Sequence, residues 1–322
     1  MNAELADKVR RRASEGREWF ASNVRDIELP PLPAVATRLI TEVNRPDPDM
    51  ERIATAIASA PETAAKVLRT VNSSLFALRN PVLSVRHAIA LLGLRHIRPI
   101  AISYTMMEAL PRPDPEIFDH RAFWTDSLLR AMFARLFAKR AQRGDEEDAF
   151  TAALMADIAL PVLLVIWPEL YGPVVKRWAV HPESLSALER RAFGWDHAQA
   201  GAWVMDNWGL PAEMVCFVGL HNLEPEQVRE FDLADTIALP ISVAALLPSV
   251  LHPHPARAQR FVRAAREEFA MSPSRTMQWI GEVRTSYHEI AEFFGLNGGR
   301  TNNLFEQVLE AAALEPEPPT ET

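Results

Sequence analysis

The chain of 322 residues contains one cysteine, Cys216. An intramolecular disulfide is therefore excluded, which fits a reducing compartment. Cys216 lies in Met214-Val215-Cys216-Phe217-Val218 with no basic neighbour in sequence to favour a thiolate, and reads as a small buried apolar residue. Glycine is scarce, 12 in all, and no Gly-rich phosphate loop is present. Long apolar runs are also missing. The run from Ala159 to Trp167 is interrupted by Pro161, and no segment approaches the ~20 apolar residues of a membrane span. The segment 1–12 is charged, mixed in sign, and lacks an apolar stretch of signal-peptide length. The expectation is a cytoplasmic protein with no membrane span. Positive charge is in deficit: the net charge is −8 and the pI about 5.7. A protein that grips phosphate backbones by charge alone has a basic surplus, so nucleic-acid binding is not expected outside a local basic patch. No alternating strand pattern, fixed-period repeat or Ser-His-Asp spacing is visible.

What is present is helical periodicity over a composition that can bury a core, 48% hydrophobic and 24% charged. Leu32, Val35, Leu39, Ile40 and Val43 recur at three- and four-residue steps. Asp49 reads as the cap of a helix from Met50 to Ser59, Pro61 starts another through Val71, and Ser84 caps a third. Gly93 separates that helix from one running from Leu94 to Leu110. Pro111-Arg112-Pro113-Asp114-Pro115 cannot lie inside a helix. Beyond it, helices are expected over 118–140, 148–154, 161–167, 185–193, 197–208, 211–221, 232–247, 256–270, 274–294 and 301–313. The fold class is all-α with two helical subdomains. The expected organisation is an N-terminal helix in 1–25, a helical subdomain over 26–110, a Pro-rich linker at 111–117 and a second helical subdomain over 118–250. A helical extension over 251–313 and a disordered acidic tail at 314–322 complete it.

Several segments, in order, resemble one family. Leu29-Pro30-Pro31-Leu32-Pro33-Ala34-Val35 is similar to the opening of HDOD domains. Ser59 to Ser73 resembles that family's D-P-x-L-x-x-x-L-L-x-x-x-N-S element, with Ala60 in place of the acid. Ser84 to Arg98, S-V-R-H-A-I-A-L-L-G-L-R-H-I-R, is similar to its most recognisable signature. The resemblance covers roughly residues 26 to 250. It implies a bacterial signalling module whose second subdomain is an HD-like helical bundle, related to metal-dependent phosphohydrolases.

The same resemblance marks the positions where chemistry would sit. Phe123-Trp124-Thr125-Asp126-Ser127 looks like F-W-x-H-S, with Asp126 in place of the histidine. Ala153 to Leu160 looks like G-L-L-H-D-I-G-K, with Ala156 for the histidine, Ala159 for the glycine and Leu160 for the lysine. Asp157 remains. His197 is retained in D-H-A-x-x-G, His221 in Gly219-Leu220-His221-Asn222, and Asp235 at the late carboxylate position. Alanine has no lone pair for a metal, so the expectation is a vestigial site at Asp126, Ala156, Asp157, His197, His221 and Asp235: no catalytic residue, no metal and no cofactor. The alternative is a residual phosphohydrolase acting on a nucleotide or cyclic dinucleotide, which requires Asp126, Asp157, His197, His221 and Asp235 to converge. Individually these residues have plainer roles open to them. Asp196-His197 can cap a helix, His221 can sit at a helix end, and Asp157 can bond a backbone group. Trp167, Trp178, Trp195, Trp203 and Trp208 read either as core or as an aromatic box.

One further feature is basic. Arg86, His87, Arg95, His96 and Arg98 flank the Gly93 turn. They read either as a solvated helix end or as a patch for an acidic partner or an anionic ligand such as a cyclic dinucleotide. The segment from Arg95 to Leu110 is too apolar for a base-reading helix. The resemblance implies partners in trans, signalling proteins such as response regulators or cyclic-di-GMP enzymes.

Overall fold

The computed structural model describes residues 29–314, apart from 44, 46, 74, 75, 77, 182, 252, 253 and 297. The helix expected in 1–25 and the tail after Leu314 lie outside the described residues. Among those residues every regular element is helical. In chain order they are α1 (Ala34–Val43), α2 (Met50–Ala58), α3 (Pro61–Val71), α4 (Val85–Leu92), α5 (Leu94–Ala109), α6 (His120–Ala141), α7 (Glu146–Leu154), α8 (Ala159–Ile166) and α9 (Pro168–Val180). Then come α10 (Leu185–Phe193), α11 (His197–Asn207), α12 (Ala212–Leu220), α13 (Pro225–Glu230), α14 (Ala238–Ala245), α15 (Pro255–Phe269), α16 (Pro273–Ala291) and α17 (Asn302–Leu314).

Local chemistry sets the ends. The Asp49 carboxylate accepts from the backbone N–H groups of Glu51 and Arg52, and the Ser84 hydroxyl accepts from that of His87. Gly93 has φ +80°, a conformation open to glycine, and lets α4 turn into α5 within one residue. Two helices run against their sequence signals. α9 contains Gly172-Pro173 and α13 is only six residues long. Pro168 and Pro225 stand at first helical positions, where a missing N–H costs nothing, and the burial of Tyr171, Gly172 and Val175 holds α9 together across Pro173. The helix expected over 232–247 is shorter, Ala238–Ala245, because Asp232 takes φ +55° and the chain turns before re-entering the helix.

The helices divide into two compact units, each made of two separated stretches. Of the described residues, unit 1 takes those through His120 and then Leu154–Asn222; unit 2 takes Arg121–Ala153 and those from Leu223. The Pro-rich stretch 111–117 lies inside unit 1, just before the boundary at His120. The second subdomain read from sequence over 118–250, however, is split between the units. Periodicity reports which face of a helix is apolar, not which helix covers it.

In unit 1, α1 packs on α2 and α5, α4 on α2 and α5, and α11 on α8 and α12. Unit 2 is centred on aromatic rings: Phe137 stacks on Phe269 at 4.6 Å and Phe133 meets Phe261 edge-on at 5.0 Å. The stretch Glu146–Ile166 has a mean hydropathy of 2.2 over its most apolar window, long and apolar enough by composition to cross a membrane. That window is 89% buried inside the protein, so its side chains are used as core. Gly144 ends the α6 connection at φ +73°, and a Cβ there would lie 2.5 Å from Ile237 Cγ2 and 3.3 Å from the Ile237 backbone nitrogen. Gly144→Ala is expected to cost about 2 kcal/mol or more through backbone strain and overpacking, measured as a fall in the urea midpoint with unchanged slope.

Candidate functional site

Three polar side chains of unit 1 meet in its interior: Asp157, His197 and His221. Each comes from the end of an element. Asp157 lies in the tight turn 155–158 between α7 and α8, closed by the Ile158 N–H on the Met155 carbonyl. His197 is the first residue of α11. Its neighbour Asp196 is the cap, accepting from Ala198 and Gln199 while the Gln199 side chain accepts from the Asp196 N–H. His221 is the residue at which α12 ends. The two helices run back to back, so the start of one lies beside the end of the other.

Glycines make that approach close. A Cβ at Gly219 would sit 3.1 Å from Ala202 Cβ, and one at Gly201 would sit 3.1 Å from Val218 Cγ1 and 3.6 Å from the Ala156 carbonyl oxygen. Small residues at both contacts let α11 and α12 touch and let the 155–158 turn lie across α11.

Asp157 Oδ1 is 3.3 Å from His197 Nε2 and 3.3 Å from His221 Nε2, and the two Nε2 atoms are 3.2 Å apart. The other ring nitrogens are held from behind. His221 Nδ1 donates to the Val218 carbonyl at 2.7 Å, which fixes the tautomer because a carbonyl only accepts. His197 Nδ1 lies 2.6 Å from Glu189 Oε2, and that same oxygen accepts the His197 backbone N–H at 3.0 Å. The Tyr171 hydroxyl donates to the other Glu189 oxygen. All five side chains are buried; Glu189 and Tyr171 are completely so. Burial alone would push the His197 pKa down. Glu189 first, and Asp157 with it, outweigh that and hold the imidazolium well above the ordinary histidine value. Burial and then the Glu189 charge push the Tyr171 hydroxyl up, so it remains a donor.

The structure thus gathers three of the six positions singled out from the sequence. Asp157 faces the two histidines. Of the pair Asp196-His197 read as a cap, Asp196 is the cap, and His221 stands at a helix end as read. Ala156 is buried and brings only a methyl group. Asp126 and Asp235 belong to unit 2. There the Asp126 carboxylate accepts the Val250 N–H at 2.8 Å, and Asp235 is exposed in the turn before α14. Glu189 and Tyr171 were not foreseen. Glu189 stands next to Arg190 and Arg191 in sequence, and Tyr171 lies in the helix that proline and glycine concealed.

Trp195 and Trp203 are buried, and Trp167, Trp178 and Trp208 are half-buried. Phe193 stacks on Trp195 at 4.9 Å, Trp167 approaches Trp195 at 6.3 Å, and Trp208 Nε1 donates to the Pro30 carbonyl at 3.1 Å. Of the basic patch, Arg86, His87 and Arg95 are exposed, whereas His96 is half-buried edge-on against Phe76 and Arg98 is half-buried.

The HDOD domain matches residues 29–223. The chain belongs to the HDOD family. Its fold is shared with an HDOD domain protein with unknown function from Geobacter sulfurreducens, at a TM-score of 0.62 and 21% identity over 89% of this chain and 100% of that one. It is shared too with a candidate phosphohydrolase from Shewanella amazonensis SB2B, at a TM-score of 0.58 and 18% identity over 94% and 98% of the two chains. At such identities the likeness is one of fold alone. An uncharacterized protein from Treponema pallidum (strain Nichols) is 22% identical over 215 residues, 66% of this HDOD chain; the chain spans 41% of that relative.

Could the cluster hold a metal? Two imidazole nitrogens and a carboxylate oxygen suit Zn²⁺ or Fe²⁺. A tetrahedral site with bonds of ~2.0–2.1 Å separates its ligand atoms by about 3.3–3.4 Å. The donor triangle here has edges of 3.2, 3.3 and 3.3 Å. Both histidines also carry the hydrogen bond behind the ring that metal-ligating histidines carry. The residues present therefore fit one divalent ion through three protein atoms.

Proposed function

We propose that this HDOD chain is a signalling module that acts by binding partners in trans and does not turn over a phosphoester. The observation that supports this reading is the make-up of the cluster. Asp157, His197 and His221 face one another at 3.2–3.3 Å, His197 held by Glu189 and His221 by the Val218 carbonyl, while position 156 offers only a methyl group. Hydrolysis needs a metal-bound water at an open position that a substrate can reach. None of the three donors is more than 7% exposed.

The test is an assay of the purified chain with bis(p-nitrophenyl) phosphate and with a cyclic dinucleotide, in Mn²⁺, Fe²⁺ and Ni²⁺. The expected result is no turnover above that of Asp157→Ala. Turnover that Asp157→Ala abolishes would sink the proposal.

The donor triangle favours a second reading, in which the cluster holds a divalent ion. His197 Nε2, His221 Nε2 and Asp157 would be its ligands, with Glu189 orienting His197. Such an ion acts as a Lewis acid and lowers the pKa of bound water. Elemental analysis separates the outcomes: one equivalent of metal lost in Asp157→Ala, without turnover, makes the ion a structural clasp. Metal and turnover together make the chain a residual phosphohydrolase.

A further inference from the structure

Residues 63–107 contain Lys66, Arg69, Arg79, Arg86, Arg95 and Arg98 and no aspartate or glutamate, in a chain whose net charge is −8. The rest of the chain is therefore more acidic than the whole. This cationic stretch includes α4 and the start of α5. The inner side of α4 is spent on the core through Val85, Ala88 and Ile89. Its outer side carries Arg86 and His87 in the first turn and Leu91 in the last, with Leu83 just before the cap. Leu83 is 86% exposed and Leu91 54%. His87 lies four residues from each. Arg95 is exposed one turn beyond, past Gly93, where a Cβ would meet nothing within 4 Å. On the neighbouring helix α2, Met50 is 58% exposed beside Glu51.

Two large leucines in water are not a folding requirement, since neither adds to the core. Leu83 and Leu91 expose large apolar side chains on the same stretch as the exposed Arg86, His87 and Arg95, the mixture of apolar and basic groups that a protein-binding surface offers. Arg86 is paired with Glu51, but both are exposed, and such a pair is worth little and is readily exchanged. A phosphate backbone would cover Leu83 and Leu91 with charge and leave them without apolar partners. Single-strand binders use exposed aromatic rings for base stacking, and this face presents aliphatic leucines. A second copy of the chain is net anionic, but its own α4 face is equally cationic and would repel in a symmetric contact.

We propose that the face formed by Leu83, Arg86, His87, Leu91 and Arg95 docks an acidic amphipathic helix of a partner protein, its apolar residues over the two leucines and its carboxylates against the cations. This rests on the binding-module reading above and names the surface and the partner chemistry for it. His96 and Arg98 are not part of the face.

The test is selection from a display library of amphipathic helical peptides, randomised in charge and apolar spacing, on the full chain. Peptides that enrich are expected to be net acidic with apolar residues at helical spacing. Their affinity is expected to fall at least about tenfold for Leu83→Ser/Leu91→Ser and for Arg86→Glu/Arg95→Glu, and to weaken with salt. Circular dichroism melts of both variants are expected to match the parent, because all four side chains are exposed. Three outcomes overturn the proposal: no enrichment, enrichment of neutral or basic peptides, or acidic peptides that bind the variants as well as the parent. So does tighter binding of a DNA or RNA oligonucleotide, or of a cyclic dinucleotide, that the arginine variant abolishes. None of these outcomes bears on phosphoester turnover, so the surface and the non-catalytic reading fail separately.

Discussion

Replacing Glu189 with alanine is expected to destabilise unit 1 by about 3–5 kcal/mol, the cost of removing one partner from a buried charge pair. The change removes more than one contact. His197 loses the acceptor of its Nδ1 and of its backbone N–H, and Tyr171 loses the acceptor of its hydroxyl. Each would be left inside the protein, where water cannot replace the carboxylate. Glu189→Gln keeps the shape and one carbonyl oxygen but gives up the charge, so an intermediate loss is expected. Urea denaturation followed by circular dichroism measures both. A loss under 1 kcal/mol for the alanine variant would show that Glu189 does not anchor the cluster. Among the charges that raise the His197 pKa, Glu189 comes first and Asp157 second.

The second large effect is on pH. In chelator, stability is expected to fall steadily as pH rises above about 6.5, the value of an unfolded histidine. Burial lowers the His197 pKa, but Glu189 and Asp157 raise it further than burial lowers it, and the net direction is up. A group bound to its proton more tightly in the folded state contributes its full stabilisation below the unfolded pKa. It loses that contribution as pH climbs through the folded pKa. Each unit of displacement is worth about 1.4 kcal/mol. Urea midpoints of the parent and of His197→Leu across neutral to alkaline pH are the measurement, compared by slope rather than level. The parent is expected to slope downward and the variant to be flat in that window; equal slopes would refute the assignment. Added Zn²⁺ gives an independent reading of the same cluster. Metal ligation needs both Nε2 atoms unprotonated, so a bound ion would make stability rise with pH instead.

Much of the fold is legible in local chemistry. Asp49, Ser84 and Asp196 are caps by residue type and position, and each is used as one. Gly93 marks a turn because its backbone conformation requires it. The candidate site is legible only in part. His197 and His221 stand 24 residues apart, at the start of one helix and the end of the next, and the contact between them depends on Gly201 and Gly219, whose importance appears only once the helices are packed. Asp126 and Asp235 carry the right functional groups, and both belong to unit 2, Asp126 on α6 and Asp235 in the turn before α14. Glu189 was concealed by its two arginine neighbours, since an acid beside basic residues on an amphipathic helix usually faces water.

The interleaving of the two units has a consequence for how the chain comes into being. Unit 1 cannot close until Asn222 has been made, and unit 2, begun at Arg121, waits for the helices after Leu223. On a ribosome adding about 5–20 residues per second, α6 and α7 therefore spend several seconds before their later partners α14 to α17 exist. During that interval the ring of Phe137, which ends stacked on Phe269, has no cover from its own unit's later half. A nascent chain of this protein thus passes through a stage with an uncovered aromatic helix, a natural point for chaperone engagement and for aggregation when synthesis stalls.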